Sequence, residues 1–438
     1  MSPCLTGRKS PGGFSLTELL IASTIALVVM GAVAQLFSLF SRTLSESQAI
    51  VDIGGRMRTT ALQLRLDLNG VTVPVRPGVS PESNAGYFEL IEGARHDTDA
   101  SHGSSDLEAD TDDVLLFTTR APGRPFVGQY GVDTIESPVA EVAWFCRPSA
   151  SQPVNGTTLY NLYRRQLLVV GYVGRPPFSL SGSNSMAGSL PTADYDLSLR
   201  SENGMLVPNT LGDLTKRENR FRHVPGTFPH VFILDADATF DSTTRAWEDV
   251  ILTNVVGFDV RVYDPLARSM PGATTSLAPG DAGYVATTAL SGTGALGAYV
   301  DLGWGGGLPM PLSVATSSTL PPNSQSTWLQ SPGFRVSNAP KNAFLTSATN
   351  ATIAAPTYDT WSLHYESNGV DEDVDNSIDE GTNLVDDNAD ALPDNPPERE
   401  TSAPYPVPLR GIEVRIRCYE PTSRQVRQVT LRHTFVEE

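Results

Sequence analysis

One apolar stretch near the N-terminus constrains this chain more than any other feature. From Phe14 to Phe40 the only charged side chain is Glu18, and Leu19–Phe40 is 22 residues without a charge. A helix needs about 20 apolar residues to cross the hydrocarbon core of a bilayer, so the stretch predicts a membrane-spanning helix. Arg8 and Lys9 precede it. By the positive-inside rule, we expect the N-terminus in the cytoplasm and the residues beyond the helix on the other side.

The helical pattern continues past the apolar stretch. Apolar residues recur up to about Leu68, and Asn69-Gly70 is a typical helix stop. We therefore expect one long helix, with a transmembrane half over residues 14–40 and a solvent-exposed half over residues 41–69. A cleaved secretory signal is disfavoured, because the apolar run is too long and no clean small-residue cleavage site follows it.

Residues 13–22 have the sequence GFSLTELLIA, directly at the start of the apolar run. This segment resembles the processing motif of type IV prepilins. In that family, prepilin peptidase at the inner membrane cuts after the glycine and methylates the new N-terminal residue. The resemblance implies a leader peptide of residues 1–13, a cut between Gly13 and Phe14, and a methylated Phe14 in the mature protein.

Glu18 is the residue for which we predict an assembly role. A carboxylate inside a membrane-spanning helix is costly and is a functional candidate by default. Near the helix N-terminus it gains some stabilisation from the helix dipole. The pilin resemblance implies that it pairs with the N-terminal amine of a neighbouring subunit. The alternative is a solvated glutamate at the membrane surface without a role.

The remainder of the chain, residues 70–438, predicts a β-rich globular head. Short runs of β-branched and aromatic residues alternate there with turn residues, so the fold class is α+β, a long N-terminal helix followed by a pilin-like β domain. The order of its strands resembles that of larger minor pilins and pseudopilins of the J and W types. We expect strands at 87–91, 113–119, 139–147, 159–173, 230–235, 255–263, 411–419 and 426–435. Segments 174–228 and 265–360, rich in Gly, Ser, Thr, Pro and Ala, are expected to be loop insertions.

The formal net charge of −18 is concentrated in two segments. Residues 89–113 carry −8 and residues 371–400 carry −11, so the rest of the chain is close to neutral. Because affinity for phosphates comes mostly from Lys and Arg, this balance disfavours nucleic acid as a partner.

The second acidic segment has the carboxylate spacing of calcium loops, in which alternating side chains converge their oxygens on one hard cation. It resembles short DxDxDxxxD loops and not a full EF-hand, because Thr382 and Pro397 stand where the bidentate glutamate would be. We predict calcium as a cofactor of residues 371–394, and the alternative is a solvated acidic linker. The predicted ligands are Asp371, Asp373, Asp375 and Asp379 in the first repeat and Asp386, Asn388, Asp390 and Asp394 in the second.

Two further groups of residues are candidates for a metal site and for a disulfide. Residues 89–113 combine carboxylates with His96 and His102, but their spacing matches no ligand template, so an exposed loop between strands is favoured. Cys146 and Cys418 fall on apolar faces of predicted strands. A disulfide between them and two buried thiols are both compatible with that placement.

Two functions from different classes fit these features. The first is a minor pilin or pseudopilin, a structural, priming or tip subunit of a type IV pilus or type II secretion pseudopilus. Its partners would be prepilin peptidase, other pilin subunits and the inner membrane, with the head on the periplasmic side. The alternative is a membrane-anchored, calcium-dependent adhesion or binding protein that never enters a filament. No arrangement singles out a nucleophile, so we predict that the protein is not an enzyme.

Overall fold

The structure is a computed structural model of the 438-residue chain. Contacts divide the chain into two compact units, one with the helix up to Gly54 and residues 420–425, the other with Gly55–Tyr419 and Val426–Glu438. The structure describes residues 13, 15–92, 110–130, 132–149, 153–154, 156–170, 196–202, 205–222, 249–272, 276–278, 281, 284, 295–302, 357–369, 377–387, 389–394, 398–399, 403, 405 and 407–436.

The first element is a single long helix, α1, over Leu16–Asn69. It ends where the Asn69-Gly70 stop was predicted. Gly70 is required at this point because a Cβ there would overlap the backbone carbonyl of Arg120 and the hydroxyl of Thr119. The glycine therefore lets the chain turn off the helix against the edge of the head.

The last turns of α1 pack into the head through one face. Met57, Thr60, Leu64 and Leu68 are buried, and their spacing of three or four residues aligns them along one side of a helix. Leu62, which points to another side, is 56% exposed. The C-terminal part of α1 is therefore an amphipathic helix of the head.

A buried ion pair fixes the end of α1 to the sheet. The guanidinium of Arg164 donates from Nε to Oδ2 of Asp67 at 2.7 Å and from a terminal nitrogen to Oδ1 at 2.8 Å. The indole Nε1 of Trp144 donates to the same Oδ2 at 3.0 Å. Asp67 is thus satisfied by two side chains from neighbouring strands, which sets the rotation of the helix on the sheet.

The described part of the head contains fifteen strands. They are β1 Phe88–Ile91, β2 Val114–Arg120, β3 Phe126–Tyr130, β4 Asp133–Ser137, β5 Val139–Pro148, β6 Tyr160–Leu168, β7 Leu199–Glu202, β8 Met205–Pro208, β9 Val250–Arg268, β10 Met270–Pro271, β11 Ser276–Leu277, β12 Leu296–Val300, β13 Thr357–Asp359, β14 Gly411–Glu420 and β15 Gln425–Thr434. Short 3-10 helices cover Pro81–Ser83, Asp213–Thr215, Arg217–Arg222, Leu363–Glu366 and Glu380–Thr382.

Most of these strands form one nine-stranded sheet in the order β13-β1-β2-β5-β6-β9-β14-β15, with β12 added to β9. The pairs with a described register are antiparallel, as in β2 with β5 and β9 with β14. The long strand β9 has β14 along one edge, while β6 and β12 share its other edge. The pairs β3-β4, β7-β8 and β10-β11 form separate two-stranded ribbons.

The central strands are buried on both faces. Trp144 of β5 contacts α1 through Asp67. The alternate residues Ala143 and Phe145 join a core cluster with Val114 and Leu116 of β2 on the opposite face. This double burial explains why β2 and β5 have continuous apolar runs and not an alternating pattern.

The predicted fold class is confirmed, and the strands lie close to the segments expected for them. The strand expected at 230–235 lies outside the described residues. Segments 174–228 and 265–360, expected to be loops, both contribute strands in their described parts. These are β7 and β8 in the first segment and β10, β11, β12 and β13 in the second. Their Gly-, Ser- and Pro-rich composition did not indicate these strands.

Buried ion pairs attach residues 213–222 to strands of the head. A terminal guanidinium nitrogen of Arg217 donates to Glu89 Oε1 at 2.7 Å, and Arg220 lies 2.9 Å from Asp359 Oδ2. All four side chains are 0% exposed. A buried cluster of this kind requires precise pairing, since each charge has lost its hydration.

Candidate functional site

Ser15 and Glu18 form a reciprocal cap at the start of α1. The Ser15 backbone N–H donates to Glu18 Oε2 at 2.9 Å, and the Glu18 backbone N–H donates to Ser15 Oγ at 3.2 Å. This is the capping-box arrangement of a serine followed three residues later by a glutamate. Gly13 is exposed, and Phe14 lies outside the described residues. The carboxylate of Glu18 is therefore held at the helix N-terminus, beside the predicted cleavage point.

The first half of α1 presents its apolar side chains outward. Leu19, Leu27 and Phe37 are 67%, 70% and 69% exposed, and none of the most apolar window of the helix is buried. By length and composition, α1 is the candidate membrane-spanning helix of the described residues. An exposed apolar surface of this extent requires lipid or other subunits around it.

The first predicted calcium repeat is represented among the described residues by Asp379. Both of its carboxylate oxygens accept the backbone N–H of Gly369, each at 3.1 Å. Its backbone is left-handed, with φ of 56°, at the start of the short helix Glu380–Thr382. The other predicted ligands of this repeat, Asp371, Asp373 and Asp375, lie outside the described residues.

In the second repeat, the carboxylates close a loop by accepting backbone N–H groups. Asp386 accepts from Asp390 at 2.9 Å and from Ala391 at 2.7 Å. Asp394 accepts from Leu384 at 2.9 Å, which joins the two ends of the segment. Asn388 lies outside the described residues, so the calcium set stays a prediction.

Three carboxylates of the first acidic segment converge in the interior of the head. One oxygen from each of Glu92, Asp110 and Asp113 lies within 4.8 Å of the other two, and all three residues are buried. The expectation of an exposed loop is therefore wrong for these residues, while His96 and His102 lie outside the described residues. The position of these residues next to paired strands could have predicted their burial. Glu92 directly follows β1, and Asp113 directly precedes β2, the strand that pairs with β1.

The two cysteines of the head are buried and are not joined in a disulfide. The Cys418 thiol donates to the backbone carbonyl of Thr253 at 3.1 Å. Burial, and secondarily the negative charge of Asp113, raises the pKa of the Cys146 thiol. Both side chains therefore behave as small apolar residues of the core.

Comparison with known proteins assigns the N-terminal segment. A family model described as the prokaryotic N-terminal methylation motif matches residues 8–34. No curated protein and no solved structure matches the chain.

The matched residues include Gly13 to Glu18 and the first turns of α1. The match supports a type IV prepilin-like precursor, and this motif implies processing by prepilin peptidase. Its apolar helix fits a single-pass membrane anchor.

Proposed function

We propose that this protein is a minor pilin or pseudopilin, a structural, priming or tip subunit of a type IV pilus or type II secretion pseudopilus. The observation that carries the proposal is the methylation motif at the start of a helix whose apolar side chains are exposed. Such a helix leaves the bilayer only when other apolar helices replace the lipid around it, as in a filament core.

The same helix supports a membrane topology for the precursor. Arg8 and Lys9 precede the apolar run, which favours a cytoplasmic N-terminus and a head on the periplasmic side of the inner membrane. Cleavage then occurs between Gly13 and Phe14 at the cytoplasmic face. In the assembled state Glu18 pairs with the methylated amine of a neighbouring subunit.

The size of the head supports a low-copy position. Residues 70–438 form a broad sheet with additional ribbons and acidic loops, and a bulky head packs poorly in a tightly repeating shaft. A tip or priming subunit has neighbours on fewer sides and tolerates such a head. We further propose that the head is not an enzyme and that the loops in 371–394 bind Ca²⁺ from outside the membrane.

The experiment combines mass spectrometry of the mature protein with the substitution Glu18→Ala. We expect a mature N-terminus at methylated Phe14, and loss of filament assembly or secretion in Glu18→Ala with membrane insertion unchanged. Glu46→Ala, on the exposed part of the same helix, serves as the control and should leave assembly intact. A mature protein that begins at Met1, or at any residue other than methylated Phe14, would contradict the proposal.

The alternative function is a membrane-anchored, calcium-dependent adhesion or binding protein outside any filament. The acidic loop that contains Asp386, Asp390 and Asp394, most of whose described residues are exposed, favours it as a second candidate. The substitution Glu18→Ala distinguishes the two functions, because a protein that is only anchored in the membrane does not need this carboxylate. Normal activity of the variant at the cell surface would favour the alternative.

A further inference from the structure

The acidic residues around the β1–β2 connection are buried inside the head. Glu92 follows the last residue of β1, and Asp110–Asp113 lead into β2. Asp110 is 1% exposed and Asp113 is 0% exposed. Carboxylates are almost never fully buried unless they are paired or coordinate a cation. Their burial therefore calls for a physical explanation.

The backbone of β9 and of the residues just after β12 holds these residues in place. The N–H groups of Phe258 and Val260 donate to the Asp110 carbonyl and to Asp113 Oδ2, each at 2.6 Å. The Leu302 N–H donates to Glu92 Oε2 at 2.9 Å. Backbone donors of paired strands are rigid, so the positions of these acidic residues are fixed by the sheet.

These residues fill a gap between β6 and β12 along one edge of β9. Along one edge of β9, pairing with β6 ends at Val255 and pairing with β12 begins at Val262. The intervening N–H groups need acceptors, and the acidic segment supplies them. The segment thus completes the edge of β9 and brings its side chains together in the interior.

The three side chains converge on a common point. One carboxylate oxygen from each of Glu92, Asp110 and Asp113 lies within 4.8 Å of the others. Asp110 Oδ1 accepts the Asp112 N–H at 3.2 Å, whereas its other oxygen, Oδ2, is buried in the cluster without a hydrogen-bond partner among the described residues. A buried carboxylate oxygen with no donor is costly, and it is the atom that a bound cation would satisfy.

The electrostatics of the cluster require a positive charge or protons. Glu92, Asp110 and Asp113 are each at most 1% exposed, so water does not screen the repulsion between their charges. The buried guanidinium of Arg261 on β9 forms ion pairs with Asp259, Asp281 and Asp301. Burying several carboxylates together without compensation is strongly unfavourable, because each repels the charge of the others.

We propose that Glu92, Asp110 and Asp113 bind a hard divalent cation, Ca²⁺, in the interior of the head. An all-oxygen set of carboxylates is typical of Ca²⁺ and not of the softer metals. Ligands on opposite sides of a Ca²⁺ ion, each at about 2.4 Å, lie about 4.8 Å apart, which accommodates the spacing of these oxygens. The bound ion ties the ends of β1 and β2 to β9 and β12.

This site is separate from the calcium loops predicted at 371–394. Its ligands are buried between strands, whereas Asp386 and Asp390 are in an exposed loop. It also does not depend on filament assembly. A failure of the pilin proposal would leave it intact, and a failure of this site would leave the pilin proposal intact.

The experiment measures Ca²⁺ binding and thermal unfolding of the full chain in detergent micelles, after treatment with chelator. Radioactive Ca²⁺ in equilibrium dialysis counts the ions per chain. We compare the wild type, Asp110→Asn, and the loop control Asp386→Asn/Asp390→Asn. Saturating Ca²⁺ should raise the melting temperature of the wild type, because an ion that binds the native state stabilises it.

In Asp110→Asn, we expect one bound Ca²⁺ fewer per chain and loss of most of the Ca²⁺-dependent rise in melting temperature. In chelator, this variant should melt no lower than the wild type, because it removes one buried negative charge. The loop control should keep the rise in melting temperature.

Three results would overturn the proposal. The first is equal Ca²⁺ binding by Asp110→Asn and the wild type. The second is a wild-type melting temperature that is identical in chelator and in Ca²⁺, which would show that protons neutralise the cluster. The third is loss of all Ca²⁺ binding in the loop control. This third result can be obtained even if Asp110→Asn does not fold.

Discussion

The two halves of α1 have the same backbone structure and opposite surroundings. In the N-terminal part up to Glu46, which includes the transmembrane half, Leu27 is 70% exposed and the ion pair of Arg42 with Glu46 lies at the surface. In the second half, Leu64 is 0% exposed and Asp67 is buried beneath Arg164 and Trp144. Side chains of the head stabilise the second half, whereas the first half exposes its apolar side chains.

This difference shows that the stability of a helix and the role of its side chains are separate questions. Packing inside the head determines the free energy of unfolding through residues such as Leu64. The exposed apolar half contributes to association with lipid or other subunits, and its substitutions should leave the folding of the head unchanged. Substitutions at matched positions in the two halves test this division.

The largest effect is expected from Asp67→Ala. It leaves the Trp144 indole without an acceptor and removes the bidentate partner of Arg164. Breaking a buried ion pair typically costs about 3–5 kcal/mol of unfolding free energy. Urea denaturation of the full chain in micelles, followed by tryptophan fluorescence, measures it.

The matched control for this pair is Arg42→Ala, which breaks an ion pair with side chains 77% and 35% exposed. An exposed pair four residues apart on a helix is worth about 0.3–0.5 kcal/mol, so the head should unfold as in the wild type. Equal losses in Asp67→Ala and Arg42→Ala would contradict the division between the two halves.

A comparable test with apolar side chains uses Leu64→Ala. Because Leu64 is fully buried, its truncation leaves a cavity and should cost about 2–5 kcal/mol. Leu62→Ala, at a 56% exposed position two residues away, should change the unfolding free energy by less than about 0.5 kcal/mol. A loss in Leu27→Ala as large as that in Leu64→Ala would show that the first half also packs on its own chain.

A smaller, pH-dependent effect is expected from Glu141 of β5, the strand that carries Trp144. Burial raises the pKa of Glu141 to about 7 from its usual 4.5, against the hydrogen bonds from Ser198, Phe221 and Tyr87 that lower it. Between pH 4.5 and 7 the unfolded chain has released this proton while the folded head retains it. Stability should therefore fall as pH rises through this window, by up to about 3 kcal/mol.

The measurement is the difference in unfolding free energy between the wild type and Glu141→Gln at pH 4.5, 5.5, 6.5 and 7.5. The variant lacks the titrating group, so its stability should increase steadily relative to that of the wild type as the pH rises. A difference that is independent of pH would show that Glu141 is not protonated in the folded head. Glu136→Gln, on a partly exposed ribbon strand, provides the control.

The sequence was sufficient to predict the elements whose signals are local. The uncharged run Leu19–Phe40 and the Asn69-Gly70 stop predict α1, and the segment GFSLTELLIA predicts the methylation motif that the family comparison matches. The apolar runs of β2 and β5 predict strands because their side chains are buried on both faces. These signals depend on residues that are neighbours along the chain.

The parts that were not predicted depend on partners far along the chain. Asp110 and Asp113 lie in a segment with the composition of an exposed loop. They are buried because the N–H groups of Phe258 and Val260 donate to the Asp110 carbonyl and to Asp113 Oδ2. The residues of β7 and β8 lie in a segment rich in turn formers. Neither placement has a signal within its own segment of sequence.

The order of the strands has a consequence for the biogenesis of the protein. Val260 pairs with Val414, and Glu89 pairs with Asp359, so the sheet joins segments that are far apart along the chain. Such non-local pairing makes folding slow, whereas a helix forms from local contacts in about a microsecond. Until the ribosome has released residues 411–420, β9 lacks its neighbour along one edge, and an unpaired edge invites aggregation. The membrane anchor of a nascent chain is therefore complete while the head still needs protection.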